Sequence, residues 1–303
     1  MPPERIVTRA PAKINLFLRI TGQRPDGYHT LRTLMQKIDL YDELTFAWSD
    51  TEGIRLDCLD GNLPAGEENI VCRAAAVFFG DERTKPLLTN RGVVIALQKT
   101  IPVAAGLGGG SSDAAATLTS LNHLCDNPLS AAELDVIGLR LGADVPFFLA
   151  GAPACLAEGI GEKLVPAEPL RGCTILLINP GFPVSTQWVY QTFALTKKDD
   201  RSSIKNLQSE GGANLLPAVP CPEPFVNDLE AVTCKRYPVV AQIKADLLEQ
   251  GAGAALMSGS GPTVFGLYHD RELAEAAFGV FKKQFEQTYL VAGLIGCNDS
   301  GDS

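Results

Sequence analysis

The sequence predicts an α+β chain folded in two lobes. Three observations carry this. Stretches with strand and helix character are mixed along the chain without strict alternation, which argues against a regular parallel α/β sheet. The 303 residues lie near the length at which one core stops growing. A composition of 46% hydrophobic and 20% charged residues belongs to a packed globular protein. No internal repeat is visible. The lobes are expected to join near residues 150–165, giving segments 1–155 and 156–303.

In chain order, "IVTRAPAKINLFLRIT" alternates and is β-rich, so it reads as one or two strands. "DELTFAWS" and "GIRLDCL" follow as strands, "NIVCRAAAVFFGDE" as a helix and "GVVIALQKT" as a strand. Asn69 is expected to cap the first of these helices. "SSDAAATLTSLNHLC" is a helix favoured by alanine and leucine. "SAAELDVIGLRLGADVPFFLA" is another, with Ser130 as N-cap, Glu133 completing a capping box and Gly142 ending its regular part. "PACLAEGIGEKLVPA" has the look of a hairpin and "CTILLINPG" of a buried strand. "VSTQWVYQTFAL" is helical from Ser185 or Thr186. Residues 196–222 are polar and rich in turn formers, so they are expected as a loop. Helices resume at "PFVNDLEAV" and "PVVAQIKADLLEQ". "AALMSGSGPTVFGLY" forms two short strands around a glycine turn, "RELAEAAFGVFKKQF" a helix and "YLVAGLIG" the last strand.

Composition excludes several functions. A net charge of −9 without a basic stripe speaks against nucleic-acid binding. No apolar run is long enough to span a bilayer, and "MPPERIVTRA" lacks a signal-peptide core, so a cytoplasmic protein with no membrane partner is expected. The eight cysteines form no CxxC pair and, with only three histidines, are expected as free thiols and not as zinc ligands. Residues 1–40 carry seven lysines or arginines against three acids, which suits an anionic small molecule or is a solvated charged face.

The stretch "PVAAGLGGGSSDAAATL" places bare backbone between a strand and a helix. Backbone amides at a helix start, aided by the helix dipole, bind anions where side chains are absent. A Walker A loop is excluded because no lysine follows the glycines. A G-x-G-x-x-G pattern fails because Ser111 stands at its third glycine. A phosphate-binding loop of another kind is expected, against the alternative of a glycine turn without a ligand.

Two further segments narrow this: "PAKINLFLRITGQRPDGYHTL" near the start and "SGSGPTVFG" near the end. With the glycine stretch they resemble the superfamily of galactokinase, homoserine kinase, mevalonate kinase and phosphomevalonate kinase. "RPDGYHTL", "GADVPFF" and "PGFPVSTQWVY" resemble, within it, the family of kinases acting on 4-diphosphocytidyl-2-C-methyl-D-erythritol. The resemblance runs from residue 9 to about 266.

It implies a two-lobe small-molecule kinase fold with the active site in the cleft between lobes. The first lobe would bind ATP and the second contribute to the substrate site. It implies transfer of the ATP γ-phosphoryl group to the substrate's 2-hydroxyl, with Mg²⁺ assisting, in the non-mevalonate isoprenoid pathway. Lys13 resembles the catalytic lysine, which stabilises charge on the transferring group. Without the resemblance it would be a snorkelling surface lysine. Asp144 resembles the catalytic aspartate, as base or as orienter of the hydroxyl; otherwise it caps a turn. Pro102, Val103, Ala104, Ala105, Gly106, Leu107, Gly108, Gly109, Gly110, Ser111 and Ser112 would cradle the ATP phosphates. Metal ligands stay open among Ser111, Ser112, Asp144 and water.

For the substrate, the resemblance implies Tyr28 stacking on the cytosine and His29 reading its edge. Asn15, on the face of Lys13, would contact hydroxyls. Thr186 and Tyr190, one helical turn apart, would complete the pocket. Met35 stands where some members carry an aromatic residue against the cytosine, and a methionine can still pack on a ring. The "SGSGPTVFG" loop is expected near the glycine stretch, with Gly259 and Gly261 in left-handed conformations and no side chain in a direct role. Two rival readings are a kinase of the same superfamily with another substrate, disfavoured by "PDGYHTL", and a non-catalytic sensor, disfavoured by Lys13 and Asp144.

Overall fold

Ala12 to Leu18 is buried at every position, so the first strand has no solvent face over that span. It forms the middle of β1 (Arg5–Gln23), which pairs with the slightly longer β2 (His29–Ser49). We describe the protein from a computed structural model, which covers residues 3–59, 66, 68–199 and 225–296. Expectations for 200–222 lie outside the described residues, whereas 196–199 continue a helix instead of a loop.

The chain divides into two units made of interleaved segments. The first comprises Met1–Ala12, Leu40–Ile101 and Gly108–Gly151. The second comprises Lys13–Asp39, Pro102–Leu107 and Ala152–Ser303. Both long strands contribute to both units.

In the first unit the end of β2 pairs antiparallel with β4 (Gly92–Gln98), and β3 (Gly53–Cys58) pairs parallel with β4. Helices α1 (Ile70–Phe78), α2 (Gly109–Leu124), α3 (Ala131–Leu141) and α4 (Val145–Leu149) surround a core that includes Phe46, Phe78, Ile95 and Leu118. Asn69 caps α1 by accepting from the Val71 amide at 2.9 Å. Ser130 and Glu133 form the expected capping box. The single helix expected over 130–150 is interrupted at Gly142 and resumes as α4.

In the second unit the start of β2 pairs with β5 (Ala154–Gly159), which turns back into β6 (Lys163–Pro166). A separate antiparallel sheet has the order β10 (Gln287–Ala292), β7 (Thr174–Asn179), β9 (Val264–Tyr268), β8 (Ala254–Met257). Helices α5 (Thr186–Asp199), α6 (Glu230–Arg236), α7 (Pro238–Glu249) and α8 (Arg271–Phe281) complete the unit, with Leu176, Ile178, Val189 and Phe281 in its core. The helix expected to start within "PFVNDLEAV" begins only at Glu230. Asn227 instead donates to the Met257 and Gly259 carbonyls and accepts from the Leu229 amide, and so holds that segment in a turn.

The six cysteines among the described residues are all free thiols. Among these residues no helix is long and apolar enough to cross a membrane, and no cluster of metal-ligating acids, histidines or cysteines occurs.

Candidate active site

Lys13 is carried into the interior by β1 and is 4% exposed. It is therefore not a snorkelling lysine. Its ammonium donates to Asn15 Oδ1 at 2.6 Å and to the Gly106 carbonyl at 3.1 Å. Its backbone amide donates to the Leu107 carbonyl at 2.9 Å. The lysine is thus tied twice to the glycine-rich stretch. Asn15, 3% exposed, uses the other end of its amide to donate to Thr33 Oγ1 at 2.9 Å. Thr33 in turn donates to the Phe17 carbonyl. This relay fixes the rotamer of Asn15, and through it the aim of Lys13.

The first half of the glycine stretch, Pro102–Leu107, packs on the turn between β8 and β9. A Cβ on Gly106 would lie 2.0 Å from the Ser258 carbonyl oxygen, and Gly106 itself has φ +79°. Only glycine permits this approach. Ser258 Oγ donates to the Gly106 carbonyl at 2.9 Å, and the Thr263 amide to the Ala105 carbonyl at 3.3 Å. Gly259 and Gly261 have the expected positive φ, +56° and +83°. Side chains of this turn hold the fold together: besides Ser258, Ser260 Oγ shares a 2.9 Å hydrogen bond with Thr186 Oγ1.

The second half is not a loop. Gly109 and Gly110 form the first turn of α2, and Gly108 is its N-cap with φ +71° and no side-chain capping bond. The α-helix leaves its first amides without intrahelical partners, pointing out of its N-terminus. Glycine in a helix costs about 1 kcal/mol relative to alanine. Close packing explains it at Gly109, whose missing Cβ would sit 2.9 Å from Ile101 Cγ2 and 3.2 Å from Lys99 Nζ. Ser112 is 1% exposed, and its hydroxyl has no hydrogen-bond partner among the described residues. Also in the first unit, Asp144 stands at the N-cap position of α4 without a side-chain capping bond.

Two sequence models match, described as the GHMP kinases N terminal domain over residues 69–152 and the GHMP kinases C terminal over residues 193–287. A 4-diphosphocytidyl-2-C-methyl-D-erythritol kinase of Geobacter metallireducens is 46% identical over 90% of this chain and 92% of its own. One of Citrifermentans bemidjiense is 47% identical over 88% and 91%. The chain belongs to the 4-diphosphocytidyl-2-C-methyl-D-erythritol kinase family of GHMP kinases. A crystal structure of 4-(cytidine 5'-diphospho)-2C-methyl-D-erythritol kinase aligns over 96% of this chain and 99% of its own, with a TM-score of 0.75 and 33% identity. GHMP kinases use ATP as the phosphate donor.

For this GHMP kinase, the structure groups the expected substrate residues only in part. The His29 ring lies 5.6 Å from Tyr190, tilted by 37°, and 6.2 Å from Phe193, edge-on. Tyr28 is 63% exposed at the tip of the β1–β2 turn, where Gly27 has φ +88° and Asp26 accepts from the Tyr28 amide. Met35 is 1% exposed and packed in the core, so no face of it is presented to a base. The basic N-terminal region is largely consumed internally. Lys13 and Lys37 are buried, and Arg19, Arg24 and Arg32 pair with Asp228, Asp26 and Glu158.

One charged cluster was not anticipated. In the first unit, Lys99 donates to Asp113 Oδ2 at 2.7 Å and to Asp42 Oδ2. Burial works to lower the Lys99 ammonium, and Asp113 with Asp42 reverses this and holds it above its ordinary value. Burial pushes the Asp113 carboxyl up to about 7, with Asp42 adding to the push and Lys99 opposing it. The available sequence signal was "KTIP" entering the glycine stretch after a strand.

Proposed function

We propose that this protein transfers the γ-phosphoryl group of ATP to the 2-hydroxyl of 4-diphosphocytidyl-2-C-methyl-D-erythritol, giving the 2-phosphate and ADP in the cytoplasmic non-mevalonate route to isoprenoid precursors. The observation that carries the site assignment is the buried Lys13 ammonium bonded to the Gly106 carbonyl. A buried cation anchored on a glycine-rich backbone suits a group where negative charge develops.

The residues present fit a nucleotide triphosphate. The α2 N-terminus offers uncapped amides for an anion, and the Ser112 hydroxyl is buried there with no hydrogen-bond partner among the described residues. ATP supplies the phosphoryl group, and we propose that Mg²⁺ accompanies it on the phosphate oxygens. In this reading Pro102–Ser112 holds the phosphates. Lys13, aimed by Asn15, stabilises charge on the transferring group. Asp144 accepts the hydroxyl proton or orients the hydroxyl. In a loose phosphoryl-transfer transition state such positioning dominates over base strength. Asn15 borders the substrate hydroxyls, Tyr28 and His29 hold the cytosine, and Thr186 and Tyr190 close the same pocket.

A coupled ADP-release assay over a substrate panel with and without the cytidine group tests the reading. Turnover is expected only with the cytidine-bearing substrate; equal turnover of homoserine or mevalonate would overturn it. Asp144→Asn is expected to lower kcat by about 10²- to 10⁴-fold while ATP still binds. Near-normal turnover would remove Asp144 from the mechanism.

A further inference from the structure

The Asp42–Lys99–Asp113 cluster is buried, charged and unused by the chemistry proposed above. Asp42 is 0%, Asp113 3% and Lys99 11% exposed at their side chains. Its members come from different segments of the first unit. Asp42 lies in β2, and its free oxygen accepts from the Thr100 and Ile101 amides at 2.7 and 2.9 Å. Lys99 follows the last residue of β4. Asp113 lies in the second turn of α2, and its backbone carbonyl accepts from Thr117 Oγ1 at 2.7 Å. The ammonium lies beside Gly109, the first helical residue, where an added Cβ would come within 3.2 Å of it.

Burying an ammonium with two carboxyl groups is costly, and such a cluster adds little stability over an apolar packing of the same volume. What it does supply is a fixed geometry. Both carboxylates meet one cation, so the end of β2, the exit of β4 and the start of α2 hold a single register. The amides of Gly109, Gly110 and Ser111 are the part of α2 set by that register.

We propose that Lys99 is a positioning residue for the phosphate-binding end of α2. It ties Asp113 to Asp42 and so sets where the first helical amides point. This inference rests on the phosphate-loop reading above, and the experiment separates the two.

Binding of inorganic tripolyphosphate and of adenosine is measured by calorimetry on the full chain. The proteins compared are the wild type, Lys99→Met and the double variant Lys99→Met with Asp113→Asn. The double variant restores the formal charge of the cluster without restoring the tie. It also carries the test if the single variant, left with two facing buried carboxylates, fails to fold. Tripolyphosphate affinity is expected to fall roughly ten- to a hundredfold in the double variant. Adenosine affinity, measured below the variant's thermal midpoint, should stay near wild type, and KM for ATP should rise by more than kcat falls. Wild-type tripolyphosphate affinity in the double variant would overturn the inference and leave charge balance as the cluster's only role. An equal loss for adenosine would overturn it in favour of a general structural role or a direct contact with the base. A wild type that binds no tripolyphosphate would overturn the phosphate-loop reading itself, and the inference with it.

Discussion

The two halves of the glycine-rich stretch are held by different physics. Ala105 to Leu107 is wedged backbone against backbone. Gly106 abuts the Ser258 carbonyl, Ala105 accepts from Thr263, and Leu107 accepts from Lys13. Gly108 to Ser112 is a helix start, steadied from behind by buried charge at Lys99 and Asp113. The first half cannot yield, because carbonyl oxygens fixed in a turn have nowhere to move. The second half can adjust, because its neighbours are side chains. A run of glycines that looks uniform in sequence therefore combines a rigid anchor with an adjustable set of donors.

The same alanine placed three residues apart tests this contrast most strongly. Gly106→Ala forces a Cβ to within 2.0 Å of backbone oxygen at φ +79°. It is expected to cost about 3 kcal/mol or more of stability. Gly109→Ala meets Ile101 Cγ2 at 2.9 Å and Lys99 Nζ at 3.2 Å at a helical position. Its clash is offset by about 1 kcal/mol of helix propensity, and its main effect is expected on KM for ATP. Urea midpoints of the two variants give the comparison, and equal losses would erase the distinction between the halves.

The parts legible in the sequence were those that act locally or through a whole motif. The lysine inside "AKINLFL" and the acid in "GADVPFF" stand out through the family resemblance, since alone they read as a surface lysine and a turn cap. Capping signals at Asn69 and Ser130 were equally plain because they act locally. What stayed hidden depended on distant partners. Lys99 looks like an ordinary solvated charge at a strand end until Asp42, 57 positions away, is brought beside it. The first part of β2 was missed because Leu31 to Ile38 is nearly all buried and shows no alternation. Asn15 suggests a ligand contact in sequence, and the structure adds that its amide accepts from Lys13 and donates to Thr33. Ser258 gave no signal, since its role exists only where the β8–β9 turn meets Gly106.

The buried charge behind the second half predicts a pH dependence of intermediate size. In the folded protein Asp113 is raised to about 7, from its ordinary value of 3.8, first by burial. Between these values the native state holds a proton that the unfolded chain has released. Stability therefore falls as pH rises from about 4 to about 7 and levels off above that. Asp113→Asn removes the titration and leaves Lys99 paired with Asp42, so this slope should flatten. Urea midpoints across the window measure it. An unchanged slope would mean that Asp113 stays ionised in the fold and that the cluster carries its surplus charge throughout.

The smallest expected effect separates the two halves most finely. Ser112 Oγ is buried in α2 with no hydrogen-bond partner among the described residues. A buried unpaired hydroxyl is unfavourable, and alanine is the better helix former, so Ser112→Ala should be neutral or stabilising by about 0.5–1 kcal/mol. If the hydroxyl instead awaits a phosphate oxygen, the same change should weaken ATP by roughly fivefold, since one lost hydrogen bond is worth about 1 kcal/mol. Stability and affinity would then move in opposite directions, as expected of a donor held ready at some cost to the fold. Ser258→Ala in the anchoring half should lose about 1 kcal/mol of stability with little change in ATP affinity beyond it. Paired thermal melts and ATP titrations of the two serine variants decide the matter. A Ser112→Ala protein that is less stable than wild type would show that its hydroxyl has a partner within the fold and is not held for the nucleotide.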